Sequence, residues 1–152
     1  ATGNALDALG EYVMIDGKRA FDGLGILHTH AEYHMMKRHN SFLLGSFQDM
    51  EIVGFKSLFG HTYPDEELTD ALFRVERGVG RHPGTYAEGF RRGGLMATYL
   101  IGPLLPLNPP FTRYLLEQMG ARDVHLAFED TAMKAYRARV EEFRDEKRGY
   151  QY

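Results

Sequence analysis

Three histidines, His28, His30 and His34, are spaced so that they could do chemistry together. Alternate side chains of an extended strand share a face, so all three imidazoles would point the same way on an unbroken strand. Imidazole nitrogens are common zinc ligands, so a metal site on this face is one hypothesis. The other is that they are polar residues on the solvated face of an edge strand, and on balance we expect neither a metal nor another cofactor.

A second chemically capable group consists of arginines, most of them in or near a loop rich in glycine and arginine over residues 78–94. Guanidinium groups bind carboxylates through paired hydrogen bonds, so these side chains could line a pocket for a carboxylate substrate. A solvated loop surface explains the same pattern. The arginines are Arg38, Arg74, Arg77, Arg81, Arg91 and Arg92.

Several other kinds of chemistry are excluded by what the sequence lacks. It contains no cysteine, so this chain offers no thiol nucleophile, disulfide or thiolate metal site. It has neither a Gly-x-Ser-x-Gly elbow nor a Gly-x-x-x-x-Gly-Lys-Ser/Thr phosphate loop. A net charge of -3 gives no electrostatic reason to expect binding to nucleic acid or to an anionic membrane. No apolar run approaches the ~20 residues that span a bilayer, and we expect a cytoplasmic protein.

The elements that must position these residues are short strands and helices in a chain of 152 residues, long enough for one domain with a buried core. Asp16-Gly17 lies between two short strand-like runs and predicts a β-hairpin over residues 12–21, because both residues tolerate positive φ. Residue patterns predict further strands over residues 40–47, 51–56, 72–76 and 95–101, and helices over residues 5–9, 111–119 and 129–148.

Several segments carry a resemblance to a known family. Residues 97–109 read Ala-Thr-Tyr-Leu-Ile-Gly-Pro-Leu-Leu-Pro-Leu-Asn-Pro, and residues 2–10 read Thr-Gly-Asn-Ala-Leu-Asp-Ala-Leu-Gly. Together with Lys37-Arg38, residues 53–63 and Glu88-Gly89, they resemble the C-terminal half of class I glutamine amidotransferase domains of the cobyric acid synthase and lipid II isoglutaminyl synthase type. In that family the segment matching residues 2–10 is the nucleophile elbow, Cys-Gly-Gly-aromatic-Gln-x-Leu-Gly.

The resemblance implies an α/β fold, namely the C-terminal portion of a flavodoxin-like, three-layer amidotransferase domain. The hairpin and the strands up to residue 76 would add an antiparallel patch. Residues 1–152 would form one partial domain, whose parallel N-terminal strands belong to a longer product or to another chain. The implied activity is the release of ammonia from glutamine for a partner amidoligase.

The same correspondence places Gly3 at the family's catalytic cysteine and Ile101 at its catalytic histidine. It also places Lys56 where the family has an acid, and His61 where it has an arginine. The family reaction needs a thiolate activated by an imidazole, and neither glycine nor isoleucine supplies one. The resemblance therefore implies a catalytically degraded chain.

Some substrate-binding features could remain after this loss. The backbone amides of Gly3 and Asn4, at a helix N-terminus, would favour an anion or a carbonyl oxygen. Arg38 matches an arginine that the family often keeps near the substrate glutamine. We therefore expect the substrate site to include Gly3, Asn4, Arg38, Gly60 and His61.

Two functions are open at this point. One is a glutamine amidotransferase-like subunit, catalytically degraded in the sense above, that binds glutamine or a related small molecule and an amidoligase. The alternative is a non-catalytic glutamine-sensing or protein-interaction module, which would use the Arg-rich loop of residues 78–92. The apolar stripe of the terminal helix would pack on its own domain or, as the second option, on a partner.

Overall fold

A computed structural model describes residues 1–64 and 70–150, and this part of the chain is a mixed α/β structure. A 3₁₀ helix over Gly3–Leu9 comes first. The helices are α1 (Leu104–Leu107), α2 (Pro109–Gln118) and α3 (Glu129–Arg144). The strands are β1 (Tyr12–Ile15), β2 (Lys18–Asp22), β3 (Thr29–Tyr33), β4 (His39–Phe47), β5 (Met50–Leu58), β6 (Gly60–Pro64), β7 (Phe73–Arg77), β8 (Ala87–Glu88), β9 (Phe90–Arg92) and β10 (Leu95–Ala97).

The first sheet has the strand order β2-β1-β3-β6. β1 and β2 form the predicted hairpin, with φ of 48° at Asp16 and 80° at Gly17, so the turn prediction is confirmed. β1 pairs with β3 in parallel, whereas β3 pairs with β6 in antiparallel fashion. The 3₁₀ helix packs against β1 and β3, which places the start of the chain over this sheet.

The second sheet is antiparallel and has the order β5-β4-β7-β8. β4 and β5 are joined by a two-residue turn at Gln48-Asp49, and the predicted strands over residues 40–47 and 51–56 are confirmed with β5 extending to Leu58. In β7, Phe73 and Val75 are buried while Arg74 and Glu76 are exposed, as the alternating pattern predicted.

Two sequence predictions between residues 78 and 101 need correction. The region expected to be a loop contains β8 and β9, and part of it is buried. The strand expected over residues 95–101 ends at Ala97, because its ladder partner β9 is only three residues long. Beyond Ala97 the segment stays buried as far as Leu100, and Ile101 is 48% exposed.

The helices largely follow the predictions. α2 ends before Gly120, which has the positive φ of 92° expected at a helix C-terminus. α3 ends at Arg144 rather than at residue 148, because the Arg77 guanidinium binds the carbonyl oxygens of Phe143, Asp145 and Arg148 and draws the chain away. Within the described residues, no helix combines the length and apolar character needed to cross a membrane.

Three apolar clusters hold the elements together. The stripe of α3, with Tyr136, Val140 and Phe143, packs on Phe42, Leu44 and Val53 of the second sheet, as expected for a helix that packs on its own domain. α2 packs on the same sheet through Phe111, which contacts Phe47 and Phe73. The third cluster joins Leu6 of the 3₁₀ helix to Tyr99 and Phe90.

The outer edge of β5 is covered by a side chain. Asn108 is fully buried, and its Oδ1 accepts from the Val53 amide at 2.8 Å while its Nδ2 donates to the Val53 carbonyl at 2.7 Å. Next to it, the Ile101 amide donates to the Phe55 carbonyl at 3.1 Å. Asn108 thus satisfies the same backbone groups of β5 that a neighbouring strand would bind.

Candidate functional site

The start of the chain forms a strand–turn–helix corner. Thr2 is extended, with φ -133° and ψ 151°, and forms a parallel bridge with Thr98. Gly3 then adopts a φ of 62° and opens the 3₁₀ helix. A residue with left-handed backbone angles between a strand and a helix directs its Cβ out of the corner. Residues other than glycine adopt these angles at a cost in free energy. This is the backbone shape that the elbow resemblance implied.

Ile101 lies directly against this corner. A Cβ built on Gly3 would be 3.0 Å from Ile101 Cγ2, closer than ordinary van der Waals contact. The two positions that the resemblance assigned to the nucleophile and its base are therefore brought together in space. Neither residue offers a side-chain nucleophile or a group that can exchange a proton.

The backbone amide of Gly3 is already engaged. It donates to the Thr98 carbonyl at 2.8 Å, so it is not free to bind a substrate anion or carbonyl oxygen as we expected. The helix behind it is a 3₁₀ helix of seven residues, which begins two residues before the predicted helix over residues 5–9. Asn4, the other residue of that expectation, is exposed beside the corner.

Beneath the corner, the carboxylate of Asp7 is buried in a cluster of hydroxyl groups. Asp7 accepts hydrogen bonds from Tyr33, from Tyr99 and, at 2.9 Å, from Thr62. Burial raises the pKa of Asp7, and the three hydroxyl donors oppose that rise. Asp7 thereby ties the 3₁₀ helix to β3, β6 and the segment that leads to Ile101.

Asp7 is not among the site residues predicted from the sequence. The signal was a charged residue between Leu6 and Ala8 in a short predicted helix, at the position where the elbow motif quoted above has glutamine. A charged side chain among apolar neighbours in a short helix is a candidate for a buried, hydrogen-bonded group.

A fully buried ion pair lies next to this cluster. Lys56 of β5 and Glu88 of β8 are both completely inaccessible, with 2.8 Å between Nζ and Oε2. The other Glu88 oxygen accepts from the Thr98 hydroxyl and from the Tyr99 amide, each at 2.9 Å. Lys56 occupies the position where the family has an acid, and here it pairs with an acid from another strand. The pair fixes the segment just before Ile101.

Gly60 and His61, both expected at the substrate site, have distinct surroundings. A Cβ on Gly60 would lie 2.7 Å from the Tyr33 ring, so glycine lets Tyr33 cross β6 and reach Asp7. His61 packs edge to face against His39, with ring centroids 4.6 Å apart. Burial lowers the pKa of His61 to about 4, with His39 and Lys56 lowering it further. His61 thus contacts residues of the polar interior, whereas Gly3 contacts Ile101. The two residues were expected at one substrate site, but their surroundings differ.

Arg38 is exposed beside β5, and its Nε donates to Ser57 Oγ at 2.9 Å. The Phe55 carbonyl binds the Ile101 amide, and Ser57 lies two residues beyond Phe55 in β5. Ser57 and Phe55 are therefore about 7 Å apart along the strand. Arg38 therefore contacts β5 two residues beyond the point where β5 binds the Ile101 amide. Its exposed position leaves it accessible to a ligand in solution.

The remaining arginines do not converge on one pocket. Arg81 is buried, its Nε donates to the Gly89 carbonyl at 2.9 Å, and its guanidinium lies 4.0 Å from the Phe90 ring centroid. Burial lowers the pKa of Arg81 to about 10. Arg77 binds carbonyl groups at the end of α3, and Arg91 donates to the Tyr114 hydroxyl at 3.1 Å. Arg74 and Arg92 are the exposed ones of this set.

The three histidines do not form a common site either. His28 contacts Glu11 at 2.9 Å, whereas His30 stacks between Tyr12 and Tyr63. His34 is exposed after the end of β3. In residues 1–64 and 70–150, no group of three or more histidine, aspartate or glutamate side chains is arranged to hold a metal ion.

Comparison with known proteins gives one informative match. The glutamine-hydrolysing subunit GatD of lipid II isoglutaminyl synthase from Staphylococcus aureus is 35% identical over 112 residues, which are 74% of this chain and 44% of that protein. No family model matches the chain. The chain thus spans less than half the length of the curated relative that it matches. This similarity supports a GatD-like glutamine amidotransferase, in agreement with the resemblance drawn from the motifs.

Proposed function

We propose that this chain is part of a glutamine amidotransferase-like subunit that has lost glutamine hydrolysis. The observation that carries the proposal is the contact between Gly3, in the left-handed conformation, and Ile101. The corner that would present a nucleophile to a base is retained in backbone shape, in a chain similar to a glutamine-hydrolysing subunit. A flavodoxin-like, three-layer domain, of which residues 1–152 are a C-terminal portion, and a cytoplasmic location belong to the same proposal.

The loss follows from the side chains at the two positions. Hydrolysis of an amide by this route requires a nucleophile to attack the carbonyl carbon and a base to take its proton. Gly3 has no side chain, and the aliphatic side chain of Ile101 fills the space in front of it. A single reversion at residue 3 would therefore meet Ile101, so both positions must change before the chemistry can return.

What we propose to remain is binding. Arg38 is exposed beside β5, and its guanidinium could bind the carboxylate of glutamine or of a related small molecule. The relative is named as a subunit of a synthase, and we infer by analogy an amidoligase as the partner of this chain. In this role the chain would bind glutamine without hydrolysing it and would act through its partner.

Ammonia release from glutamine tests the proposal directly. We expect none from the wild-type chain, whether alone or with the amidoligase subunit from the same organism. The Gly3→Cys/Ile101→His variant restores both groups, and measurable release from it would show that the corner is a former active site. Gly25→Cys/Ile101→His is the matched control, because Gly25 is exposed, has the same φ of 62° as Gly3 and does not line the cavity beside the corner. Release by the wild-type chain would refute the proposal.

The alternative is a non-catalytic glutamine-sensing or protein-interaction module. Exposed apolar side chains around a cavity of about 740 Å³ beside the corner favour the interaction role, since such surfaces mark binding sites. Ile101, Leu105 and Met119 are 48%, 43% and 82% exposed there. Calorimetric titration with glutamine separates the possibilities. Binding that Arg38→Ala abolishes supports the glutamine site, and its absence together with binding of the amidoligase favours an interaction module.

A further inference from the structure

The C-terminal segment after α3, residues 145–150, lies over a cavity next to the corner. The cavity has a volume of about 550 Å³ and lies between this segment and the loop that follows Ile101. Arg148 and Gly149 form one wall, Gly102 and Pro103 form the facing wall, and Phe42 and Phe55 also line it. Gly102 and Pro103 follow Ile101 directly in the chain, so this cavity borders the loop that carries Ile101.

The segment is held in place almost entirely through its backbone. Arg77 donates to the carbonyl oxygens of Phe143, Asp145 and Arg148, the last two at 2.7 Å. Further along, the Phe42 amide donates to the Tyr150 carbonyl at 3.1 Å, at the edge of β4 that β7 leaves free after Arg77. These contacts fix the path of the segment and close the cavity on that side.

The side chains of the segment contribute little burial. Every residue from Asp145 to Tyr150 is exposed, and Tyr150, its only large apolar side chain, is 39% exposed. The Arg148 guanidinium pairs with Glu142, which also binds Arg139 at 2.7 Å, at the exposed rim of the cavity. Segments with few buried apolar contacts and solvent-exposed hydrogen bonds open at the lowest free-energy cost in a fold.

We propose that residues 145–150 are a strap that opens and closes the cavity behind the Gly3–Ile101 corner, with Arg77 as its anchor. Opening breaks the Arg77 bond to the Arg148 carbonyl, the Arg148–Glu142 pair and the Phe42–Tyr150 bond, and it leaves α3 and the sheets intact. Closure places Arg148 and Gly149 opposite Gly102 and Pro103. The strap thus controls access to the loop that carries Ile101, whatever small molecule or partner the corner binds.

The absence of cysteine provides a test that needs no knowledge of the ligand. Gly102→Cys places one thiol in the cavity wall, where an added Cβ would come no closer than 3.5 Å to Phe55. Deleting residues 148–152 removes the distal half of the strap and keeps the Arg77 contacts that cap α3. We expect this deletion to raise the rate of maleimide labelling of Gly102→Cys by about tenfold or more.

Gly94→Cys is the matched control, since Gly94 is exposed, lies outside this cavity and has no atom within 4 Å of an added Cβ. Its labelling rate should not change on deletion. Arg77→Lys keeps the charge but loses the planar guanidinium group with its several donors. In the full-length chain it should therefore give an intermediate rate of maleimide labelling of Gly102→Cys. The same Gly102→Cys rate with and without residues 148–152 would overturn the proposal. An equal rise at Gly94→Cys would also overturn it, because the deletion would then loosen the whole fold.

Discussion

The corner and the polar centre beneath it differ in what each has kept. The corner, Gly3 with Ile101, has a left-handed turn between an extended residue and a helix, and it carries no reactive side chain. The polar centre, which we define as Asp7, Lys56, Glu88 and their hydroxyl partners, keeps charged groups that are closed to solvent. The corner therefore lacks reactive side chains, and the polar centre has ionisable groups that solvent does not reach.

This difference shows that the two regions are under separate physical constraints. The polar centre fixes the segment before Ile101 through the Glu88 bonds to Thr98 and Tyr99, and it fixes the 3₁₀ helix through Asp7. The position of the corner therefore does not depend on which side chains stand at residues 3 and 101. A buried charged group, in contrast, cannot be lost singly without leaving its partner unpaired.

The largest effect is expected from breaking the buried ion pair. Lys56→Met leaves Glu88 charged and fully buried, which should lower the free energy of unfolding by about 3–5 kcal/mol. Lys56→Met/Glu88→Gln should recover part of the loss, because no buried charge remains. Urea unfolding followed by circular dichroism measures both. Arg19→Ala, which breaks an exposed pair with Asp22, is the control and should have little effect. A small effect of Lys56→Met would show that the polar centre does not constrain the fold.

Asp7→Ala should have the next largest effect, a loss of about 2–3 kcal/mol, because Tyr33, Thr62 and Tyr99 lose their shared acceptor. Asp7→Asn keeps an acceptor oxygen and should cost less. Because burial raises the pKa of Asp7, the wild-type carboxyl disfavours folding as the pH rises above 3.8, and Asn removes that dependence. Urea midpoints across pH 4–8 measure both changes, and equal losses for Ala and Asn would contradict the shared-acceptor role.

Acidification should weaken the interior through His61. The folded pKa of about 4 lies below the unfolded value of 6.5, so the unfolded chain binds more protons between these values. Stability is therefore complete above about pH 6.5 and falls as the pH drops toward 4, by up to about 2 kcal/mol after allowance for partial solvent screening. His61→Gln should flatten this dependence. The proteins with His61 and with His61→Gln are both measured with Asp7→Asn, which removes the opposing pH dependence of the Asp7 carboxyl. An unchanged slope of stability against pH in His61→Gln would exclude His61 as the cause.

The smallest effect is expected at the corner. Gly3→Ala forces an L-residue to a φ of 62° and brings its Cβ against Ile101. Gly93→Ala is the control, because φ is 58° there and nothing lies within 4 Å. We expect Gly3→Ala to cost about 1 kcal/mol more than Gly93→Ala, and Ile101→Ala to relieve that excess in a double-mutant cycle. Equal losses of stability for Gly3→Ala and Gly93→Ala would mean that the Ile101 side chain moves aside at little cost in free energy.

Local signals explain which parts of the fold were predictable. The hairpin followed from Asp16-Gly17, and the pairing of β4 with β5 follows from a two-residue turn between two apolar runs. Both features depend on residues that are close in the chain. The end of α3 was placed too late, because Arg77, far away in sequence, determines where it stops.

The candidate site was less accessible to such reasoning. Asp7 finds its partners 26, 55 and 92 residues away, and Lys56 pairs with a residue 32 positions along the chain. No periodicity encodes contacts of this kind. The meeting of Gly3 with Ile101 was expected only through family resemblance, and the separate surroundings of His61 required the packing of His39 and Lys56 around it.

The covered edge of β5 bears on how this protein avoids pairing with strands of other molecules. An open strand edge invites a strand from a neighbouring molecule, which is how sheets begin to aggregate. Here the Asn108 amide occupies the backbone groups of Val53, and the amide of residue 101 occupies the Phe55 carbonyl. The contact at residue 101 is made by the main chain, so it is independent of the side chain there. The edge of β5 would therefore stay covered whichever side chain stands at residue 101.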